Sequence, residues 1–129
     1  MESVQWGSRG LSMLPEELKQ KLLEFRKRRD WEKFHKPKDL AVSLVIEAAE
    51  LLENFQWKTD AEVEEMLGGE GRGGIEEEIA DIIIYLTYLC NDLDIDLQEI
   101  VSRKLEINRK KYPSEKVKGS ARKYTEYNK

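Results

Sequence analysis

One cysteine, one histidine and three prolines in 129 residues set the first limits on this chain. The lone Cys90 can form no intrachain disulfide, and it falls on the apolar side of a helical pattern, the place of a small core residue. With a single imidazole and a single thiol there is no zinc cluster, and no di-iron bundle, which needs Glu-x-x-His from two helices. No segment alternates with a two-residue period over a useful length, so no sheet is expected. No apolar run approaches the length of a membrane span, and Met1 to Gly10 lacks the apolar core of a secretion signal. The expectation is a cytoplasmic protein without a membrane partner. Basic residues are scarce in the middle of the chain: Asp39 to Ile100 holds seventeen acidic residues against two basic ones, Lys58 and Arg72. Val101 to Lys129 reverses this, with ten basic residues and three acidic. A binder of nucleic-acid polymers carries a Lys/Arg footprint on one face, so none is expected here. An acidic middle followed by a basic end fits a middle that holds metal and an end that meets phosphates.

What is present is one domain of ordinary size, 40% hydrophobic and 37% charged. Residues 1–13 read as a loose arm, residues 14–113 as the folded domain and residues 114–129 as a basic tail with Tyr124 and Tyr127. The prolines punctuate helices. Pro15 fits the first turn of a helix whose apolar face is Leu18, Leu22 and Phe25, running to about Phe34. Pro37 opens a second, with a stripe of Leu40, Ala41, Leu44, Val45, Ala48, Leu51, Leu52 and Phe55. The stretch from Lys58 to Gly74 ends in Gly-Gly-Glu-Gly-Arg-Gly-Gly and predicts a mobile loop after one helical turn. A third helix turns Ile75, Ile79, Ile82, Ile83, Leu86 and Cys90 inward. Asp96 and Glu99 outline a capping box for a fourth, which Pro113 stops near Lys111. The expected fold is all-α, four main helices packed as a bundle.

Two acidic pairs of identical spacing, Glu47-x-x-Glu50 and Glu78-x-x-Asp81, sit in the second and third helices. Residues three apart share a helix face, so each pair is a two-carboxylate claw. Glu47 borders the apolar stripe, and Glu78, Asp81 and Tyr85 fall within about 60° of one another beside theirs. Carboxylates at the border of a core are costly unless paired or bound to metal. Two of them about 4 Å apart repel by roughly 4 kcal/mol at an effective dielectric near 20, so claws that meet need a cation between them. An all-oxygen set suits Mg²⁺, which keeps waters and takes substrate phosphates as further ligands. Trp31, His35 and Trp57 stand near helix ends; each alone fits simple packing, but together they are the parts of a pocket for a planar base. Lys104 and Asn108, followed by Arg109 and Tyr112, put basic and polar groups at the end of the fourth helix, where a cation also complements the helix dipole.

Five blocks in order carry a resemblance: Trp31-Glu-Lys-Phe-His35-Lys-Pro-Lys-Asp-Leu; Ile46-Glu-Ala-Ala-Glu-Leu-Leu-Glu53-Asn-Phe-Gln-Trp57; Glu77-Glu-Ile-Ala-Asp81-Ile-Ile-Ile-Tyr85; Lys104-Leu-Glu-Ile-Asn108-Arg-Lys-Lys-Tyr-Pro; and Lys118-Gly-Ser-Ala-Arg-Lys-Tyr124. Over roughly residues 15 to 125 the chain resembles the MazG-like all-α nucleotide pyrophosphohydrolases, in their dCTP pyrophosphatase branch. The resemblance implies hydrolysis of dCTP or related deoxynucleoside triphosphates, modified ones included, to the monophosphate and pyrophosphate. It implies Mg²⁺ held by Glu47, Glu50, Glu78 and Asp81, with the base and sugar among Trp31, His35, Trp57 and Tyr85. Lys104, Asn108, Arg109 and Tyr112 would meet phosphates, the tail around Lys118 to Tyr124 would close over the site, and the assembly would be a homo-dimer or homo-tetramer. Glu47, Glu50 and the additional acid Glu53 are alternative bases for the attacking water. Relatives commonly carry Asn where this chain has Asp39, a departure that bears on base preference if that position reads the base edge. The competing expectation is a catalytically silent helical module that senses nucleotides or docks a protein.

Overall fold

A computed structural model describes residues 12–121 and Thr125, all helix and connection with no strand among them. The chain divides into two compact units, one spanning Ser12–Ile95 and a second holding the chain from Asp96 onward. In the first unit, α1 covers Glu16–Arg28, a 3-10 turn covers Glu32–Phe34, α2 covers Pro37–Glu53, α3 covers Asp60–Leu67 and α4 covers Gly71–Asp92. In the second, α5 covers Leu97–Lys111 and α6 covers Ser114–Val117. No described helix is long and apolar enough to cross a membrane. The all-α expectation holds. Most of the arm and the Arg122–Tyr124 part of the tail lie outside the described residues.

Three boundaries differ from the sequence reading, each for a local reason. The first helix ends at Arg28 rather than near Phe34. Asp30 takes a left-handed backbone (φ 53°), and the amides of Asp30 and Trp31 turn back to the carbonyls of Lys27 and Arg26 at 3.0 and 3.1 Å. That is the closing pattern usually written with glycine, here with an aspartate in its place. Asp94 (φ 55°) ends α4 the same way, through Asp94 and Ile95 amides on the carbonyls of Asn91 and Cys90. Between Lys58 and Gly74 the expected loop is largely helical. Thr59 accepts from the Glu62 amide while the Glu62 carboxylate accepts from the Thr59 amide, a complete capping box that starts α3. The glycine cluster does not unwind the chain at Gly71 but begins α4 there: a Cβ on Gly71 would collide with the Met66 side chain, so its bareness lets α4 start against α3. Asp96 does cap α5, accepting from the Glu99 amide at 3.0 Å, while the Glu99 carboxylate pairs with Arg103.

The core of the first unit is the contact of α2 with α4, the most extensive helix pairing in the structure. Leu40 is completely buried, and Ile75 and Tyr88 are nearly so. The remainder of the α2 stripe divides: Leu44, Leu51 and Phe55 are half-buried, whereas Ala41, Val45, Ala48 and Leu52 are exposed. Helix α1 inverts the expectation. Leu18 and Phe25 are exposed, and the buried positions are Lys19 and Arg26, seven residues apart on one face. A buried guanidinium is tolerable only when paired; Arg26 donates to both carboxylate oxygens of Asp92, at 2.9 and 2.8 Å.

Candidate active site

Because α2 and α4 are the helices that pack most closely, their acidic faces meet. Glu47 and Glu50 from α2 and Glu78 from α4 converge so that one carboxylate oxygen of each lies within 4.8 Å of the others. All three are half-buried. The crowding appears in their proton affinities. Burial, a proton shared with Glu78 and the charges of Glu50 and Asp81 push Glu47 up to about 7 from an ordinary 4.5. In Glu78 the hydrogen bond from Glu47 acts downward, but burial together with Glu50 and Asp81 leaves it raised. Asp81 lies one turn beyond Glu78 and acts on both by its charge, yet it is not among the three converged carboxylates. Glu53 is exposed, at the last residue of α2 and outside the cluster.

The donor set fits a hard divalent cation. Oε2 of Glu78 is buried with no hydrogen-bond partner, an acceptor aligned to nothing in the protein. Octahedral Mg²⁺ at 2.0–2.1 Å holds its oxygens roughly 3 to 4 Å from one another, a spacing the three carboxylates meet with small adjustment.

Beyond the acids, an aromatic cluster brings together three of the four residues expected around a base. The His35 ring lies 6.4 Å from Trp31 and 6.2 Å from Tyr85, edge-on to the latter. Burial and the Arg26 charge, opposed by Asp92 and Asp39, lower the proton affinity of His35 from its ordinary value and favour the neutral imidazole. Trp57 is not part of the cluster: it is 92% exposed, on a left-handed backbone (φ 66°) just after α2. Two members were missed in the sequence. Tyr88 sits 5.5 Å from His35, and Phe25 packs edge-on against Trp31 at 5.8 Å. Tyr88 lies three residues after Tyr85 on the same face, a signal that was available; Phe25 had been placed in the α1 core. Cys90 is half-buried, and burial pushes its thiol up, in keeping with a packing role.

The phosphate candidates stand on α5 in the second unit. Lys104 and Asn108, four residues apart, share one face, with Lys104 exposed and Asn108 half-buried, and Tyr112 follows as the C-cap on a non-helical backbone. Arg109 is tied to Glu106 at 2.6 Å.

A MazG-like family model matches residues 42–127, the span that holds the second acidic claw as well as the first. The chain belongs to the MazG-like family. It is 42% identical over 116 residues to human dCTP pyrophosphatase 1 and 41% identical over 112 residues to the same protein of Rattus norvegicus. Each alignment takes in 86% of this chain and 66% of the relative, so the chain spans just under two thirds of the length of these relatives. A pyrophosphatase crystal structure from Archaeoglobus fulgidus DSM 4304 superposes with a TM-score of 0.72 at 52% identity, covering 76% of this chain and 91% of that one. The helical fold is therefore shared with that archaeal pyrophosphatase over most of this chain.

Proposed function

We propose that this chain is a Mg²⁺-dependent nucleoside triphosphate pyrophosphohydrolase that converts dCTP or related deoxynucleotides to the monophosphate and pyrophosphate. The observation that carries the reading is the convergence of Glu47, Glu50 and Glu78 around an unpartnered buried oxygen, in a chain over 40% identical to dCTP pyrophosphatases. Glu47, Glu50, Glu78 and Asp81 would hold the cation, which supplies Lewis-acid neutralisation of the triphosphate. The chain's own residues do the rest. The attacking water loses its proton to a carboxylate of α2, and Glu53, one turn past Glu50 and outside the converged set, is the acid left free of ligand duty. Trp31, His35 and Tyr85 form the wall that receives the base, Trp57 offers an exposed indole for stacking, and Lys104, Asn108, Arg109 and Tyr112 meet the phosphates. The relatives named dCTP pyrophosphatase 1 favour turnover over a silent nucleotide-sensing module.

The assembly we propose is a homo-oligomer, dimer or tetramer, working on cytoplasmic nucleotide pools. Its support is the second face of α2: Val42, Val45, Ile46 and Leu52 follow the helical period and are 50%, 68%, 49% and 58% exposed. A helix apolar on both faces requires cover on both.

Chromatography of a dCTP reaction tests the activity. dCMP and pyrophosphate should appear together with no transient dCDP. Accumulation of dCDP and orthophosphate would reject the assignment, since it would place the attack on the γ-phosphorus.

A further inference from the structure

The groups packed behind His35 have no part in the reaction as described. Arg26 is 3% exposed on α1, its fork closed on Asp92 of α4, and its guanidinium carbon lies 4.4 Å from the centroid of the Tyr88 ring. Tyr88 is equally buried and donates its hydroxyl to the Leu22 carbonyl at 2.9 Å. The imidazole also neighbours that ring, tilted by 33° at 5.5 Å. Only Arg26 of this ion pair is buried, the Asp92 side chain keeping 25% of its surface in water, and the cost of taking the guanidinium out of water makes such a pair a poor source of stability. Its presence beside the one histidine calls for another use.

We propose that Arg26 is a positioning residue of the base pocket: locked by Asp92 and stacked on Tyr88, it fixes the His35 imidazole and thereby the discrimination among bases. The inference rests on the reading that His35 meets the base. Charged and titratable groups face His35 from three helices: Arg26 from α1, Asp39 from α2, and Asp92, Tyr85 and Tyr88 from α4. Burial first, and then Arg26 against the two aspartates, favours the neutral ring, with one donor and one acceptor. Nδ1 is buried without a partner. An orphaned lone pair is less costly than an orphaned N–H, so the proton belongs on Nε2, and the pocket presents a donor to a base carbonyl. A protonated ring would present only donors and lose that selectivity.

His35 is the only histidine of these 129 residues, so the chain gives one imidazole Hε1 resonance whose titration is read directly by NMR. Arg26→Met should raise the His35 pKa and Asp92→Asn should lower it, while Arg26→Lys, which keeps the charge, should return it toward the wild-type value. Loosened packing would instead move both variants the same way, toward 6.5, and that outcome overturns the proposal. Because Arg26→Met leaves the part-buried Asp92 carboxylate without its partner and can destabilise the chain, Arg26→Met with Asp92→Leu carries the functional arm. With the fixed imidazole lost, the preference for dCTP over dATP, whose base has no carbonyl, should fall by about fivefold, the net worth of one hydrogen bond. If His35→Ala leaves the nucleotide ranking unchanged, the base-pocket reading fails and this proposal with it. If His35→Ala flattens the ranking and the double variant does not, only the role of Arg26 is overturned.

Discussion

Glu47 makes the stability of the metal-free protein fall as pH rises through the neutral range, opposite to the trend that paired carboxylates impose. Its pKa is 4.5 when unfolded and about 7 when folded, so the folded state binds the proton more tightly. The contribution is fully present below pH 4.5, where Glu47 is protonated in both states, and is lost as pH climbs from there to 7. A displacement of this size is worth roughly 3 kcal/mol without screening. Glu47 is partly open to water, and solvent screening reduces this to about 1 kcal/mol. For a domain of this length that corresponds to a fall in Tm of about 3 to 6 °C. The assay is thermal unfolding in excess chelator from pH 5 to 8 at one protein concentration, since oligomerisation would otherwise move Tm by mass action. Glu47→Gln removes the titrating group, so its Tm should be flatter across this range and at pH 7.5 equal or exceed that of the wild type. Saturating Mg²⁺ should reverse the wild-type slope, because a cation favours the ionised carboxylates. Parallel pH profiles for wild type and Glu47→Gln in chelator would refute the reasoning.

Two further outcomes follow from the same geometry. Glu78→Gln should abolish measurable turnover while leaving the melting temperature in chelator unchanged or raised, because it removes a crowded charge; full wild-type turnover by the variant, or by the wild type in excess chelator, would remove the basis for a metal site. Val45→Asp, on the exposed face of α2, should shift the sedimentation profile to a smaller species with helicity retained, and an unchanged profile would exclude that face as the subunit contact.

The carboxylate site was legible because its geometry is local: a three-residue spacing fixes a helix face, and the same spacing recurs on the helix that packs alongside. The all-α class followed from the same periodicity. What escaped the sequence depends on distant partners or on unusual stops. Nothing near Arg26 announces Asp92, 66 positions later, so the burial of this basic residue is not legible from its neighbours. Helices α1 and α4 end on Asp30 and Asp94, residues that seldom take the left-handed turn that glycine supplies, and the end of α1 was placed too late for that reason. The glycine cluster misled in the other direction. Glycine lowers helix propensity, but it cannot show from sequence that a side chain such as Met66 needs the vacated space.

Trp57 shows what the chain retains at the expense of its own folding. An indole on a left-handed backbone costs about 1–2 kcal/mol relative to a residue suited to that conformation, and at 92% exposure it recovers almost nothing by burial. Selection for thermal robustness alone would drift toward glycine or asparagine at this position. At this position stability and the use of an exposed indole part company, so libraries screened only for a higher melting temperature would discard this residue first.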